Sequence, residues 1–131
     1  KNYKHMKKII LSMAVAILSG TYAKAQKAEV LFFNGKSSWC AAKACNAVEA
    51  DVKDLVLAKY ADGTVVFKTV LISDQANAEL VKKHSAKNQT VVIVGNAKNE
   101  DLTSIVATYS RDKNKTALEN GLVEKVNKII Q

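Results

Sequence analysis

Residues 28–60 read AEVLFFNGKSSWCAAKACNAVEADVKDLVLAKY, and the change of pattern inside them decides the fold. Ala28 to Phe33 form an unbroken apolar run of strand length and composition. Asn34 to Ser38 (NGKSS) are turn residues that end it. From Ala41 to Tyr60 the period becomes helical, with Ala41, Cys45, Val48, Val52 and Leu55 at three- and four-residue spacing. Lys43, Asn46, Glu49, Lys53 and Asp54 take the other side, where Glu49 and Lys53 form a favourable i,i+4 pair. A strand followed at once by an amphipathic helix is the first half of a crossover unit.

Moving outward, Asp62-Gly63 supplies a turn, and residues 64–72 (TVVFKTVLI) are β-branched and predict a second strand. Asp74 is placed to cap a helix through residue 85, with Ala76, Leu80 and Val81 inward. Residues 90–95 (TVVIVG) predict a third strand, closed by a polar turn at 96–101 (NAKNED). Residues 102–110 (LTSIVATYS) fit either an edge strand or a short helix with a loop. The last helix opens on a capping-box pattern, Thr116 to Glu119, and carries Leu118, Leu122, Val126, Ile129 and Ile130 as its apolar stripe. The order β-α-β-α-β-(β)-α implies a parallel crossover and a three-layer α/β/α sandwich in one domain.

The chain upstream has a different character. Met6-Lys7-Lys8, the apolar run Ile9 to Leu18 and the small-residue site Ala23-Lys24-Ala25 make a secretory leader over residues 1–25, cleaved before Gln26. The run is shorter than the ~20 residues a permanent span needs, so no membrane anchor is expected after cleavage. Five of the 20 basic residues and none of the 12 acids fall in residues 1–25, which leaves +3 on residues 26–131. That charge is interspersed, with a single arginine (Arg111) and no basic patch, and this excludes a nucleic-acid surface. A leader places the remaining 106 residues in a periplasmic or secreted, oxidising setting, where a cysteine pair can persist as a disulfide.

The only two cysteines, Cys40 and Cys45, lie at the junction of the first strand and first helix, and Trp39 precedes Cys40. With the element order, this Trp-Cys junction resembles the thioredoxin superfamily over nearly all of residues 26–131. Within it, Cys45-Asn-Ala-Val-Glu49 and the late Asp101-Leu-Thr103 segment are similar to a family of small exported bacterial proteins, named as nitrophenyl compound nitroreductase subunit ArsF. The thioredoxin resemblance implies that Cys40 is the nucleophile and Cys45 the resolving thiol of a redox pair. Lys43 would favour a thiolate, Trp39 would shield the site, and Gln89-Thr90 would stand where thioredoxins carry a cis-proline. Two features depart from that pattern: the spacing is C-x4-C rather than C-x2-C, and the chain contains no proline.

Geometry qualifies the pairing. Positions five apart in a regular helix lie roughly 8.6 Å apart between Cα atoms, beyond the ~7 Å a disulfide allows. A Cys40–Cys45 bridge therefore requires Cys40 to sit in the loop or in a distorted first turn. Three readings stay open: an exported thiol–disulfide exchange protein acting on a protein partner or thiol substrate, a non-catalytic binding or accessory module with a structural disulfide, and a dithiol site for a soft metal or arsenite. No resident metal or cofactor is expected, since one histidine and two cysteines lack zinc spacing and no phosphate-loop or dinucleotide fingerprint occurs. His84 reads as a solvated surface residue, as do the carboxylates Asp51, Asp54, Glu100 and Asp101. Asn88-Gln-Thr90 and Asn114-Lys-Thr116 match a glycosylation sequon only formally.

Overall fold

The computed structural model describes residues 24–35 and 42–131, leaving aside the side chains of Ala42 and Cys45. The expected leader lies outside the described residues except for Lys24 and Ala25. The elements are β1 (Ala28–Asn34), α1 (Ala42–Lys59), β2 (Val65–Leu71), a 3₁₀ turn (Gln75–Asn77) running into α2 (Ala78–Lys83), β3 (Val91–Gly95), β4 (Asn99–Asp101), α3 (Thr103–Asp112) and α4 (Lys115–Ile130). Among the described residues, no helix is long and apolar enough to cross a membrane.

The strands form one mixed sheet in the order β2-β1-β3-β4. β1 and β2 are parallel, from Ala28 opposite Val65 to Asn34 opposite Leu71, with α1 as the crossover. β3 returns antiparallel to β1, pairing Phe32 with Val91, and β4 runs antiparallel to β3. The chain is thus mixed α/β, as the element order implied.

Central β1 has helices over both faces, which explains its unbroken apolar run, since both sets of alternating side chains are buried. Ala28, Val30 and Phe32 join Val65, Val91 and Ile93 beneath Val48, Val52 and Val56 of α1, Val106 and Tyr109 of α3, and Leu118, Leu122 and Val126 of α4. Leu31 and Phe33 point the other way, with Val70 and Val92, into a small cluster completed by half-buried Leu80 and Val81 of α2. Of the α1 stripe, Val48 and Val52 are buried as read; Val56 rather than Leu55 is its last deep member, Leu55 lies at the margin, and Ala41 and the side chain of Cys45 fall outside the described residues.

Four local expectations change. Of the two alternatives for residues 102–110 the helix is the one formed, as α3 from Thr103 with Leu102 just before it, and the fourth strand is the preceding Asn99-Glu-Asp101, which the polar composition disguised as turn. Its pattern carries no inward-facing apolar residue, because it is a short charged edge held by backbone pairing to β3 and by polar contacts. Helix α4 is capped by Asn114, whose Oδ1 accepts from Ala117 N at 3.0 Å, so Thr116 lies inside the helix and Glu119 pairs with Lys59 instead of closing a capping box. Asp74 does cap, accepting from Ala76 N at 3.0 Å, but it caps the 3₁₀ turn, and Ala76 is exposed.

Candidate functional site

Three segments meet where β1 ends. Asn34-Gly35 leave the sheet, Glu49 of α1 bonds Asn34, and residues 87–90 lead into β3. The antiparallel pairing of β1 continues past β3 itself: Phe33 N donates to Thr90 O at 2.9 Å and Gln89 N donates to Phe33 O at 2.8 Å. Gly35 N donates to Asn88 Oδ1 at 2.9 Å, tying the exit of β1 to the same segment. A Cβ at Gly35 would stand 3.1 Å from the Asn88 side chain, so the close approach suits glycine. The segment is closed on itself by Lys87 N to Thr90 Oγ1 (2.9 Å) and Thr90 N to Lys87 O (3.0 Å). Gln89 takes a left-handed backbone (φ +65°), a conformation uncommon for a side-chain-bearing residue.

Gln89 and Thr90 are thereby brought beside the strand end that leads into residues 36–41. Trp39 and Cys40 lie outside the described residues, and with them the question of a Cys40–Cys45 bridge. Position 45 is the fourth residue of α1, and Lys43, in the same turn, is exposed. Both sequons are structurally engaged, since the Asn88 and Asn114 amide oxygens each accept a backbone hydrogen bond.

One residue at this end was not legible as functional. Glu49, one helical turn after position 45, accepts from Asn34 Nδ2 at 2.8 Å and from the Thr69 hydroxyl. It joins α1 to the end of β1 and to edge strand β2, so it is half-buried and serves contacts other than the expected pair with Lys53. The available signal was its place directly after buried Val48, at the edge of the stripe rather than opposite it.

His84 also departs from its reading. It caps the C-terminus of α2 and packs on Phe33, ring centroids 5.9 Å apart and planes 55° apart. Its Nε2 is enclosed without a hydrogen-bond partner among the described residues. Burial, with the adjacent Lys83 charge, pushes its pKa below the ordinary imidazole value.

A second polar cluster sits between α1, α3 and α4. The Tyr109 hydroxyl donates to Asp51 Oδ2 at 2.6 Å, so Asp51 is not merely solvated. The hydrogen bond to Asp51, with burial, pushes the phenol pKa up to about 12. A cavity of about 160 Å³ adjoins it, lined by Asp51, Asp54, Leu55, Tyr109, Leu118 and others. Glu100 is likewise paired, with Lys125 Nζ at 2.9 Å. Among the described residues no group of three or more His, Cys, Asp or Glu is placed to hold a metal ion.

No family model matches the chain, and no curated protein matches it. Among solved structures, a chain described as "Structure of a malarial protein" is similar, at 21% identity over 81% of this chain and 100% of that one, with a TM-score of 0.49. Likeness at that level carries no argument about fold or function.

Proposed function

We propose that the chain is an exported thioredoxin-like protein that exchanges thiols and disulfides through Cys40 and Cys45. The observation that carries this reading is the pairing of Gln89 and Thr90 with Phe33, which sets the residue pair before β3 against the strand end leading to Trp39-Cys40. It is supported by the strand order β2-β1-β3-β4 with β1 and β2 parallel, and by α1, α3 and α4 lying on one face and α2 on the other. The leader pattern of residues 1–25 supports export.

In the forward step the Cys40 thiolate attacks one sulfur of a substrate disulfide. That S–S bond breaks, and its other sulfur leaves as thiolate. Cys45 then attacks Cys40 Sγ in the mixed disulfide, forming the internal bridge and releasing the second substrate thiolate. Two electrons pass from the dithiol to the substrate, and no cofactor is required.

A second reading, a non-catalytic module with a structural disulfide, is favoured by the C-x4-C spacing and the absence of proline. Equilibrating residues 26–131 with glutathione redox buffers separates the two. The exchange reading expects a potential above about −300 mV, with Cys45→Ser trapping a mixed glutathione disulfide on Cys40. A potential below about −300 mV, with no trapped adduct, establishes the structural bridge instead.

A further inference from the structure

We propose that His84 is a pH-operated latch: its neutral ring holds residues 84–90 against the end of β1, and protonation releases them. The latch is independent of the thiol reading, since it involves only described backbone and one imidazole.

The segment is held by few contacts and against some strain. Helix α2 has six residues, none of them fully buried. Ser85 and Gln89 both carry left-handed backbone, φ +46° and +65°, a conformation that costs roughly 1–2 kcal/mol for a residue with a Cβ. Against this stand three hydrogen bonds to the β1 end (Gly35 N to Asn88 Oδ1, Gln89 N to Phe33 O, Phe33 N to Thr90 O), the packing of Ala86 on the small cluster and the packing of His84 on Phe33. The ring is therefore one of the few contacts that dock the segment.

Its surroundings favour the neutral form. Nε2 is enclosed and has no partner among the described residues, so a proton there would have no acceptor. The charges nearest in sequence are cationic: Lys82 and Lys83 on α2, and Lys87 in the segment. The apolar cluster beneath is Leu31, Phe33, Val70, Val92 and Val94. Of the acids on the packed elements, Glu79 is at the far end of α2, Asp74 precedes the 3₁₀ turn, and Glu29 is four residues from Phe33, about 13 Å along the strand. Asp101 lies opposite Val92 on edge strand β4, where it accepts from Thr103 N at 2.8 Å. A charged imidazole reaches a stable setting only by leaving Phe33 for water, and the weakly held segment goes with it.

The sign follows from linkage. The folded pKa of His84 lies below its ordinary 6.5, so the open state binds the proton more readily than the closed one. The closed segment has its full stability above about pH 6.5 and loses it as pH falls toward the depressed folded value.

Amide hydrogen exchange by NMR on residues 26–131 at pH 7.5 and pH 5.0, corrected for intrinsic rates, tests the latch. His84 is the only histidine in that stretch, so the response has one source. Protection of the Gln89 and Gly35 amides is expected to fall by up to about tenfold per pH unit below 6.5, while the Val30 and Ile93 amides keep theirs. His84→Phe, or His84→Leu should the larger ring disturb packing, is expected to keep equal protection at both pH values. Unchanged protection of Gln89 and Gly35 in the wild type at pH 5.0, or the same loss in either variant, overturns the proposal.

Discussion

The two faces of the sheet are built on unlike scales. Among the described residues, one covers fifteen buried residues drawn from β1, β2, β3, α1, α3, α4 and the residue before α3. The other covers four of them, closed by α2 and its flanking segments. Apolar burial stabilises by about 25 cal/mol per Å² removed from water, so most of the folding free energy lies on the first face. The second face carries the left-handed Ser85 and Gln89, an imidazole nitrogen without a partner among the described residues, and the segment that touches the end of β1. Local openings draw on the least stable parts of a fold, and here those parts adjoin the candidate site.

Truncating one side chain on each face puts this inequality to its most direct test. Phe32, 1% exposed on the larger face, is expected to cost about 3–5 kcal/mol as Phe32→Ala. Leu80, half-buried on α2, is expected to cost about 1–2 kcal/mol as Leu80→Ala, since only part of its area leaves water. Urea unfolding at constant slope measures both. Equal costs would mean that α2 is as firmly docked as the three-helix layer.

Glu49 probes the stable face from within, because it anchors α1 to both β1 and β2. Glu49→Ala leaves the Asn34 amide without its carboxylate and Thr69 without its acceptor. Hydrogen bonds to charged groups contribute about 1.5–3 kcal/mol, and Thr69 is exposed enough for water to replace part of the loss. A destabilisation of about 2 kcal/mol is expected, in the same urea assay. A loss under about 0.5 kcal/mol, the scatter of ordinary surface changes, would show that the anchor is incidental.

How far the sequence spoke for itself follows the same division. On the larger face, periodicity sufficed: Val48, Val52, Leu118, Leu122 and Val126 are buried where three- and four-residue spacing puts them. Burial on both faces made β1 unmistakable. Periodicity failed where no apolar face exists, as in Asn99-Glu-Asp101, whose strand character comes wholly from backbone pairing. It failed also for side chains defined by distant partners. Asn34 and Glu49 are 15 residues apart, Gly35 and Asn88 53, and Asp51 and Tyr109 58. No local pattern encodes such pairs. His84 looked solvated because its neighbours in sequence are lysines, whereas its neighbour in space is Phe33. At the candidate site, Gln89 and Thr90 were singled out through the family resemblance and their position before a strand, and their pairing with Phe33 depends on a register that only the assembled sheet defines.

The smallest effect is also the most local. Helix α2 ends with Ser85 N donating to Lys82 O at 3.1 Å and Ala86 N donating to Val81 O at 2.9 Å, the paired bonds of a Schellman motif whose left-handed position favours glycine. Ser85 occupies that position with φ +46°. Ser85→Gly relieves a cost of roughly 1–2 kcal/mol and adds back about 0.5–1 kcal/mol of unfolded-chain entropy, for a net gain of about 0.5 kcal/mol. Because α2 opens separately from the three-helix face, the gain is expected as about a twofold rise in protection of the Ala86 and Gln89 amides, with the Ile93 amide unmoved. A rise shared equally by Ile93 would place α2 in the same cooperative unit as the larger core, and the two faces would then be unequal in size alone.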